Sequence, residues 1–548
     1  MQKSFCLNAA LSCLITCGLP VFTLNRAVSA ERLKLSFGIV ERSVSVDSLE
    51  TYAKTGEVND ELAAYFKYVP KENRGALREA LLAPIPLNSV QISQFLYSPI
   101  GEKLLETLSQ VVQSEFRSRG QTTRDKYRRS SGFYGTRSAL ILAARKKNNF
   151  NIINILRKFP SQTISIDLFR SLELGLRARN IINRTQKAVA LINEKSLNKA
   201  NNRTVSDNII SDTLRKGEFT YQKDRVTLTD VRRIRSFPLD IYLPQTNKPS
   251  PVIVISHGLG SDRTSFVYLA EYLASKGFVV AVPEHPGSNA QQLQALLGGI
   301  ADEVTEPREF VDRPLDVKYV LDYLEDLSNS DSAYKERLNM EQVGVIGQSF
   351  GGYTALALAG AEINFARLQN NCPVNENTLN VSLLLQCQAL NLPKIDYQLS
   401  DSRIKAAVAI NPVVSSVYGK ESFSKIKTPV MIVAGTADTV APAYPEQIIP
   451  FTWLTNPNKY LVLMNGGTHF SVIAESPDSP IPVPSQVIGP SPNLARAYTN
   501  FLALAMFKTY VTNNSNYQAY LNANYINSLG QGSLFLRVVN ELSNEKLR

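Results

Sequence analysis

From residue 221 onward the chain repeats a pattern of short apolar runs and amphipathic segments. The mostly apolar runs lie at 252–256, 278–283, 343–346, 404–410, 429–434 and 460–464. Segments with helical spacing lie at 264–276, 313–327 and 350–361, with a last one near 494–509. Runs of this length are typical of strands that are buried on both faces. Their alternation with helices predicts an α/β domain with a mostly parallel sheet, which an antiparallel hairpin at 226–243 precedes.

The first part of the chain shows helical patterns instead. Apolar positions recur at helical spacing in five segments, at 46–52, 61–66, 74–82, 101–112 and 138–145. They predict an all-α N-terminal domain over residues 31–170. An amphipathic helix and a polar, Asn-rich linker follow at 171–220, and the α/β domain then occupies 221–548 with an insertion at 362–402.

Residues 1–30 have the three parts of a secretory leader: a lysine, a mostly apolar run and a small-residue end. We expect cleavage after Ala30 and an exported protein. The alternative is an uncleaved membrane anchor. Asn8, Pro20 and Asn25 interrupt a stretch that is barely long enough to span a bilayer, which argues against that alternative.

Composition and charge are those of an ordinary globular protein, with 44% hydrophobic residues, 20% charged residues and a formal net charge of +11 in 548 residues. A basic cluster at 117–129 lies in a Gly/Ser/Thr-rich stretch. It is interpreted either as a solvated loop or as a peripheral contact with acidic lipid head groups or an acidic partner. No nucleic-acid motif accompanies it, so no nucleic-acid partner is expected, and the oligomeric state stays open.

A serine stands between two glycines at the end of one predicted strand. Gly347-Gln348-Ser349-Phe350-Gly351 has G-x-S-x-G spacing and leads into a small-residue helical run. A serine that attacks a carbonyl must stand on a turn too tight for flanking side chains, which the glycines permit. Chance also produces this pattern. The test is whether the chain supplies a histidine base, an acid and backbone N–H donors.

The partners of Ser349 can be sought by their order, which for a serine on a strand-turn-helix is nucleophile, acid, base. Of the three histidines only His469 lies beyond Ser349, in a loop after the last predicted strand. Asp438 lies in a turn directly after the strand at 429–434 and can orient the imidazole. Glu446 is the second candidate for the acid.

The loop after the strand at 252–256 is rich in glycine and can expose backbone N–H groups. We expect the N–H groups of Leu259 and Phe350 to form an oxyanion hole. His257 is expected to shape this loop, and His285 to line the substrate pocket or anchor a loop. Both are candidate pocket residues. The chemistry requires no metal and no cofactor.

These residues carry a family resemblance. Residues 252–289, with Ser-His-Gly-Leu-Gly-Ser-Asp-Arg at 256–263, together with 347–352 resemble the platelet-activating-factor acetylhydrolase and dienelactone-hydrolase-like branch of the α/β-hydrolases. The resemblance implies the α/β-hydrolase fold and cleavage of carboxylic esters without a cofactor. Residues 46–53 and 94–101 resemble an N-terminal domain of unknown function that is fused to such hydrolases in cyanobacteria.

The resemblance covers the nucleophile, the oxyanion donors and the histidine, but not the acid. In the acetylhydrolases the acid follows the strand after the nucleophile helix, and this chain has Asn411 there. Asparagine cannot act as the acid, so Asp438 follows the commoner hydrolase arrangement. Specificity for phospholipid acetyl esters therefore does not carry over. Dienelactone hydrolases use a cysteine nucleophile, which Ser349 replaces here.

The insertion at 362–402 interrupts the strand and helix rhythm just after the nucleophile helix. It is interpreted as a lid for acyl or lipid-like esters or as a surface insert without function. It holds Cys372 and Cys387, the two cysteines that remain once the leader is removed. They are expected either to form a disulfide, which would stabilise by about 3 kcal/mol, or to stay as two buried thiols.

These patterns together predict an exported serine esterase that acts on a small-molecule or lipid ester through Ser349, His469 and Asp438. A serine peptidase with the same three residues is one alternative. A non-catalytic binding or scaffold protein that acts through the helical domain is another.

Overall fold

The computed structural model describes residues 29–37, 40–67, 69–114, 131–146, 149–200, 215–374, 380–476, 485–530 and 532–547. Nearly all of the expected leader and the whole basic cluster at 117–129 lie outside these residues. The chain forms two compact units. The first comprises residues 1–85 and 108–168, and the second comprises 86–107 and 169–548.

The first unit contains a four-stranded sheet besides its helices. The strands are β1 (Arg32–Phe37), β2 (Val40–Ser45), β3 (Val112–Ser114) and β4 (Thr163–Asp167), in the order β2-β1-β4-β3. Strands β1 and β4 are parallel and the other pairs are antiparallel. The helices are Val46–Thr55, Asp60–Phe66, Lys71–Leu82, Ser131–Ala143 and Ile152–Arg157. The prediction of an all-α N-terminal domain is therefore corrected.

This sheet escaped the sequence interpretation because its strands are short and pair across long sequence distances. Arg32 in β1 is opposite Thr163 in β4. Leu33, Val44 and Ile164 carry apolar side chains from three strands into one core. A strand of six residues or fewer with a few apolar positions gives a weak local signal, and here the tertiary pairing decides its conformation.

The second unit is built on a nine-stranded sheet in the order β13-β12-β11-β10-β9-β7-β8-β6-β5. The strands from β8 across to β12 are parallel, and β5, β6 and β13 are antiparallel at the two edges. The strands are β5 (Tyr221–Asp230), β6 (Arg235–Pro244), β7 (Ser250–Ser256), β8 (Val279–Pro283), β9 (Leu338–Gln348), β10 (Ile404–Ile410), β11 (Val430–Gly435), β12 (Lys459–Asn465) and β13 (Phe535–Val539). The predicted α/β class and the opening hairpin are confirmed.

Helices cover both faces of this sheet. Val252 and Val254 belong to the core on one face, and Ile253 and Ile255 to the core on the other. This is why β7 reads as a continuous apolar run. Helices of this unit include Leu168–Lys199, Val267–Ser275, Ala290–Leu297, Glu309–Ser330, Phe350–Leu358, Phe365–Val374, Gly419–Lys425 and Pro492–Tyr510. None of the helices that the structure describes is long and apolar enough to cross a membrane.

Residues 86–107 belong to the second unit, although the sequence places them within the predicted N-terminal domain of 31–170. Helix Ser89–Tyr97 contacts helix Ala290–Leu297 there. The boundaries of the compact units therefore differ from the domain boundaries that the sequence predicts, because residues 86–107 pack within the second unit.

Candidate active site

Ser349 lies on a sharp turn between β9 and helix Phe350–Leu358, with backbone angles of φ 56° and ψ −116°. A Cβ at position 347 would come within 2.1 Å of the Gly351 carbonyl oxygen. A Cβ on Gly351 would come within 2.0 Å of the Ser256 carbonyl oxygen. Contacts this short exclude any side chain at either position, so both glycines of the motif are needed to form the turn.

A continuous line of hydrogen bonds joins three of the sequence-predicted residues. The Ser349 hydroxyl lies 2.9 Å from His469 Nε2, and His469 Nδ1 lies 2.7 Å from Asp438 Oδ2. The second carboxylate oxygen of Asp438 accepts from the N–H groups of Val440 and Ala441 at 2.8 and 2.7 Å. The carboxylate is thereby fixed to receive Nδ1–H, which leaves Nε2 free to accept the serine proton.

Glu446, the second candidate for the acid, is fully buried and bonds to residues other than His469. Its carboxylate accepts hydrogen bonds from the side chains of Asn380 and Gln386 and from the backbone of Val414 and Ser415. Glu446 therefore ties the insertion to the loop after β10, and Asp438 is the carboxylate that meets His469.

Two side-chain amides hold the backbone around His469. Gln348 Nε2 donates to the His469 carbonyl at 3.0 Å, and Asn411 Nδ2 donates to the preceding carbonyl, that of Thr468, at 3.1 Å. Asn411 Oδ1 also accepts from the Gly435 N–H at 2.8 Å. From the sequence, Asn411 is notable only as a missing acid, and no role is predicted for Gln348. The one local signal for Gln348 is its place directly before the nucleophile.

The two predicted oxyanion donors are free to receive a ligand. Within the described residues, no group accepts a hydrogen bond from the N–H of Leu259 or of Phe350. The loop that carries Leu259 passes beside the nucleophile, because a Cβ on Gly258 would lie 3.4 Å from Ser349 Cβ. This arrangement suits an oxygen that becomes negatively charged next to Ser349.

His257 and His285 are fully buried behind this loop. The backbone N–H of His285 donates to His257 Nε2 at 3.0 Å, and the ring atom His285 Nδ1 lies 2.9 Å from Asp316 Oδ2. With no exposed surface, neither ring can line a substrate pocket as the sequence suggested for them. Their hydrogen bonds fit the alternative role of shaping the loops after β7 and β8.

Burial determines the protonation states of His257, His285 and Arg313. Desolvation, together with the nearby Arg313 cation, lowers the pKa of His257 to about 4. Burial also lowers the pKa of His285 well below its usual value. The pKa of Arg313 falls to about 10, because burial disfavours its charged form. At neutral pH both imidazoles are therefore uncharged and the guanidinium is charged.

A cavity of about 240 Å³ adjoins the oxyanion loop. Leu259 and Ser261 lie on one side of it, and Phe470 and Ile473 from the segment after His469 lie on the other.

Cys372 and Cys387 form a disulfide within the insertion. Among the described residues, no group of three or more His, Cys, Asp or Glu side chains is arranged to hold a metal ion.

The turn that carries Ser349 follows a central parallel strand, and the loops that carry Asp438 and His469 follow β11 and β12 at the same edge of the sheet. The chain has the α/β-hydrolase fold. The family model described as "Alpha/beta hydrolase of unknown function (DUF1400)" matches residues 29–167. The model described as "Platelet-activating factor acetylhydrolase, isoform II" matches residues 239–311, from β6 to the start of helix Glu309–Ser330. The resemblance expected from the sequence is thus confirmed.

Individual relatives are similar along part of the chain. Cutinase 2 of Thermobifida cellulosilytica is 23% identical over 288 residues, which are 51% of this chain and 76% of the relative. Cutinase cut1 of Thermobifida fusca is 23% identical over 288 residues, again 51% of this chain but 62% of its own length. Platelet-activating factor acetylhydrolase of Canis lupus familiaris is 28% identical over 156 residues, which are 22% of this chain and 34% of the relative.

Proposed function

We propose that the protein is a serine hydrolase of carboxylic esters that acts through Ser349, His469 and Asp438. The observation that carries this proposal is the hydrogen-bonded line from Ser349 Oγ through His469 to Asp438, with distances of 2.9 and 2.7 Å. Similarity to cutinases and to an acetylhydrolase supports an ester hydrolase in general terms.

In the first half of the proposed reaction, Ser349 Oγ attacks the ester carbonyl carbon while its proton passes to His469 Nε2. Asp438 accepts Nδ1–H and stabilises the imidazolium that forms. The carbonyl oxygen becomes negatively charged, and the N–H groups of Leu259 and Phe350 donate to it. His469 then gives the proton to the alcohol oxygen as the ester bond breaks, which leaves an acyl group on Ser349.

The second half repeats these roles with water as the nucleophile. His469 Nε2 takes a proton from water as its oxygen attacks the acyl carbon, and the same two N–H groups receive the negative charge. Collapse of this intermediate returns the proton to Ser349 Oγ and releases the carboxylic acid. None of these steps requires a metal or a cofactor.

The proposed substrates are small-molecule esters with an acyl or lipid-like group. The cavity beside Leu259 and Phe470 supports this class, because it adjoins the oxyanion loop and combines apolar and polar walls. We include contact of the basic cluster at 117–129 with acidic lipid head groups in the proposal, on its charge alone.

Export is part of the same proposal and rests on the leader pattern of residues 1–30. To test export, the full chain is expressed in a bacterium, and the protein found outside the cytoplasm is sequenced from its N-terminus. A start at Glu31 is expected. A cytoplasmic protein that keeps residues 1–30 would contradict export without affecting the proposed reaction.

The activity is tested with purified protein on p-nitrophenyl esters of increasing acyl length and on peptide anilides. We expect ester turnover that Ser349→Ala abolishes, and labelling of Ser349 by a fluorophosphonate, located by mass spectrometry. Ser328→Ala, which changes a serine on an exposed helix turn, is the matched control and should keep full activity.

Two outcomes would reject the proposal in different ways. Absence of both turnover and label on Ser349 would favour the binding or scaffold alternative. Cleavage of peptide anilides with no preference for esters would favour the peptidase.

A further inference from the structure

Arg313 is fully buried in helix Glu309–Ser330, just behind the loop that carries Leu259. Its Nε donates to Ser288 Oγ at 2.8 Å, and its Nη2 lies 3.4 Å from the Gly258 carbonyl oxygen. Within the described residues, Nη1 has no acceptor. Burying a guanidinium with part of its hydrogen-bonding capacity unused is costly, so its position needs a reason beyond packing.

The protonation of His257 shows which acceptor Arg313 meets. His257 Nε2 accepts from the His285 N–H, so the single proton of this uncharged ring is on Nδ1. Nδ1–H then donates to the Gly258 carbonyl at 2.8 Å. Because Nδ1 is protonated, it cannot accept from Arg313 Nη2, which lies 3.3 Å away. The Gly258 carbonyl is therefore the acceptor for both donors.

Holding the Gly258 carbonyl fixes the N–H of Leu259. The two groups belong to one peptide unit, and in a trans peptide they point in opposite directions. The chain has no cis peptide bond within its described residues. Two donors that hold the carbonyl toward the interior thus direct the Leu259 N–H outward, and they polarise the peptide so that this N–H becomes a stronger donor.

Arg313 also contacts the residue that carries the other donor. Its guanidinium carbon lies 4.6 Å from the centroid of the Phe350 ring, which is within the range of a cation–π contact. Phe350 is fully buried and follows the nucleophile directly. One buried cation thus contacts the peptide unit that carries the Leu259 N–H, through the Gly258 carbonyl, and the ring of Phe350, which carries the other proposed donor.

We propose that Arg313 is a positioning residue for the oxyanion hole, which it holds from inside the protein through the Gly258 carbonyl and the Phe350 ring. This role rests on the proposed function, because it matters only if an oxyanion forms at Ser349. Arg313 touches no substrate. It acts by keeping two N–H groups aligned before the substrate arrives.

The competing explanation is that Arg313 serves only as a charge partner in the buried network. Its Nε lies 3.9 Å from Glu309 Oε2. Arg235 is a closer partner of Glu309, at 2.7 Å, and also lies 2.8 Å from Asp316. Among the described residues, the hydrogen-bond and ion-pair partners of the Arg235 side chain are Glu309, Asp312 and Asp316, and they include neither Gly258 nor Phe350. Arg235→Gln therefore disturbs the same charges without touching the oxyanion loop, and it is the matched control.

The experiment compares wild type, Arg313→Met, Arg313→Lys and Arg235→Gln in the full mature chain. For each it measures kcat and KM on a p-nitrophenyl ester, the inhibition constant of an alkyl boronic acid and the melting temperature. The boronate forms a tetrahedral adduct with the serine and so reports on the oxyanion hole. We expect Arg313→Met to lower kcat about tenfold with little change in KM, less than the roughly 100-fold cost of losing a whole donor.

In Arg313→Met the inhibition constant of the boronate should rise by the same factor by which kcat falls. Arg313→Lys should recover part of both kcat and boronate affinity. Arg235→Gln should lower the melting temperature but leave kcat near wild type. Equal losses of kcat in Arg235→Gln and Arg313→Met would overturn the role, as would an Arg313→Met enzyme with wild-type kcat. If Arg313→Met does not fold, a folded Arg313→Lys with wild-type kcat and boronate affinity overturns it. A wild-type protein without ester turnover would overturn the proposed function, and this role with it.

Discussion

Asn411 shows how one residue can be both misleading and informative. By resemblance to the acetylhydrolases, the sequence predicts an acid at this position, and Asn411 is notable there only as a missing carboxylate. In the structure it uses both ends of its amide: Oδ1 accepts from the Gly435 N–H, and Nδ2 donates to the Thr468 carbonyl. A carboxylate has no donor when ionised. The site therefore requires an amide at position 411, because it joins the end of β11, which Asp438 follows, to the loop that carries His469.

Replacing this amide tests that requirement. We expect Asn411→Asp to lower kcat about tenfold, because one buried hydrogen bond is lost and its acceptor is left unsatisfied. Steady-state kinetics on a p-nitrophenyl ester measure the effect. Asn411→Ala should cost at least as much. Wild-type kcat in Asn411→Asp would show that the amide is not needed.

The acid itself is tested beside it. Asp438→Asn should lower kcat by about 10⁴-fold, because an amide cannot stabilise the imidazolium and favours the wrong tautomer. The double variant Asn411→Asp with Asp438→Asn should be no more active than Asp438→Asn. Recovery of activity in the double variant would mean that a carboxylate at position 411 can serve as the acid.

At the scale of elements, hydrogen bonds hold the described part of the insertion at 362–402 to neighbouring loops. The Ser382 N–H donates to the Val440 carbonyl at 3.0 Å, two residues after Asp438. The fully buried Glu446 carboxylate holds Asn380 and Gln386 against the loop after β10. These bonds favour a fixed support for the acid loop over a mobile lid, the first alternative drawn from the sequence.

The disulfide is the covalent part of this support. It joins helix Phe365–Val374 to the segment after helix Ser382–Gln386 across a sequence separation of 15. The paired variant Cys372→Ser with Cys387→Ser should lose about 3 kcal/mol of unfolding free energy, measured by denaturant titration. A reducing agent should destabilise the wild type in the same way and leave the variant unaffected. Equal stability of variant and wild type would show that the bond adds nothing to the fold.

For the whole molecule, the buried histidines link stability to pH. The native state holds the pKa of His257 at about 4, whereas the unfolded chain protonates histidine near pH 6.5. Below pH 6.5 the unfolded state therefore binds more protons than the native state, so stability should fall as the pH drops toward 4. Above pH 6.5 these groups should contribute no slope. His285, whose pKa is also lowered, acts in the same direction.

Denaturant titrations between pH 7.5 and 4.5 measure this slope. For His257 alone the loss should reach roughly 2 to 3 kcal/mol at the acid end. His257→Asn should be less stable at pH 7.5 but show a shallower decline. Parallel declines in the variant and the wild type would mean that other groups control the acid sensitivity.

Much of the second unit could be predicted from the sequence, because its strands are continuous apolar runs and its helices are local and periodic. The chain order of Ser349, Asp438 and His469 is also a one-dimensional signal, since each follows its own predicted strand. The four-stranded sheet of the first unit could not be predicted this way. Its strands are short, and β1 finds its parallel partner about 130 residues later in the chain.

The sequence by itself determined the tight turn at Ser349, since Gly347 and Gly351 are required by contacts within a few residues and with one neighbouring strand. Only the tertiary structure decided how that turn is supported. Arg313, Gln348 and Asn411 reach the oxyanion loop and the His469 loop from other elements. Such contacts leave no periodic trace in a sequence, because a hydrogen bond depends on where two segments meet in space and not on their spacing along the chain.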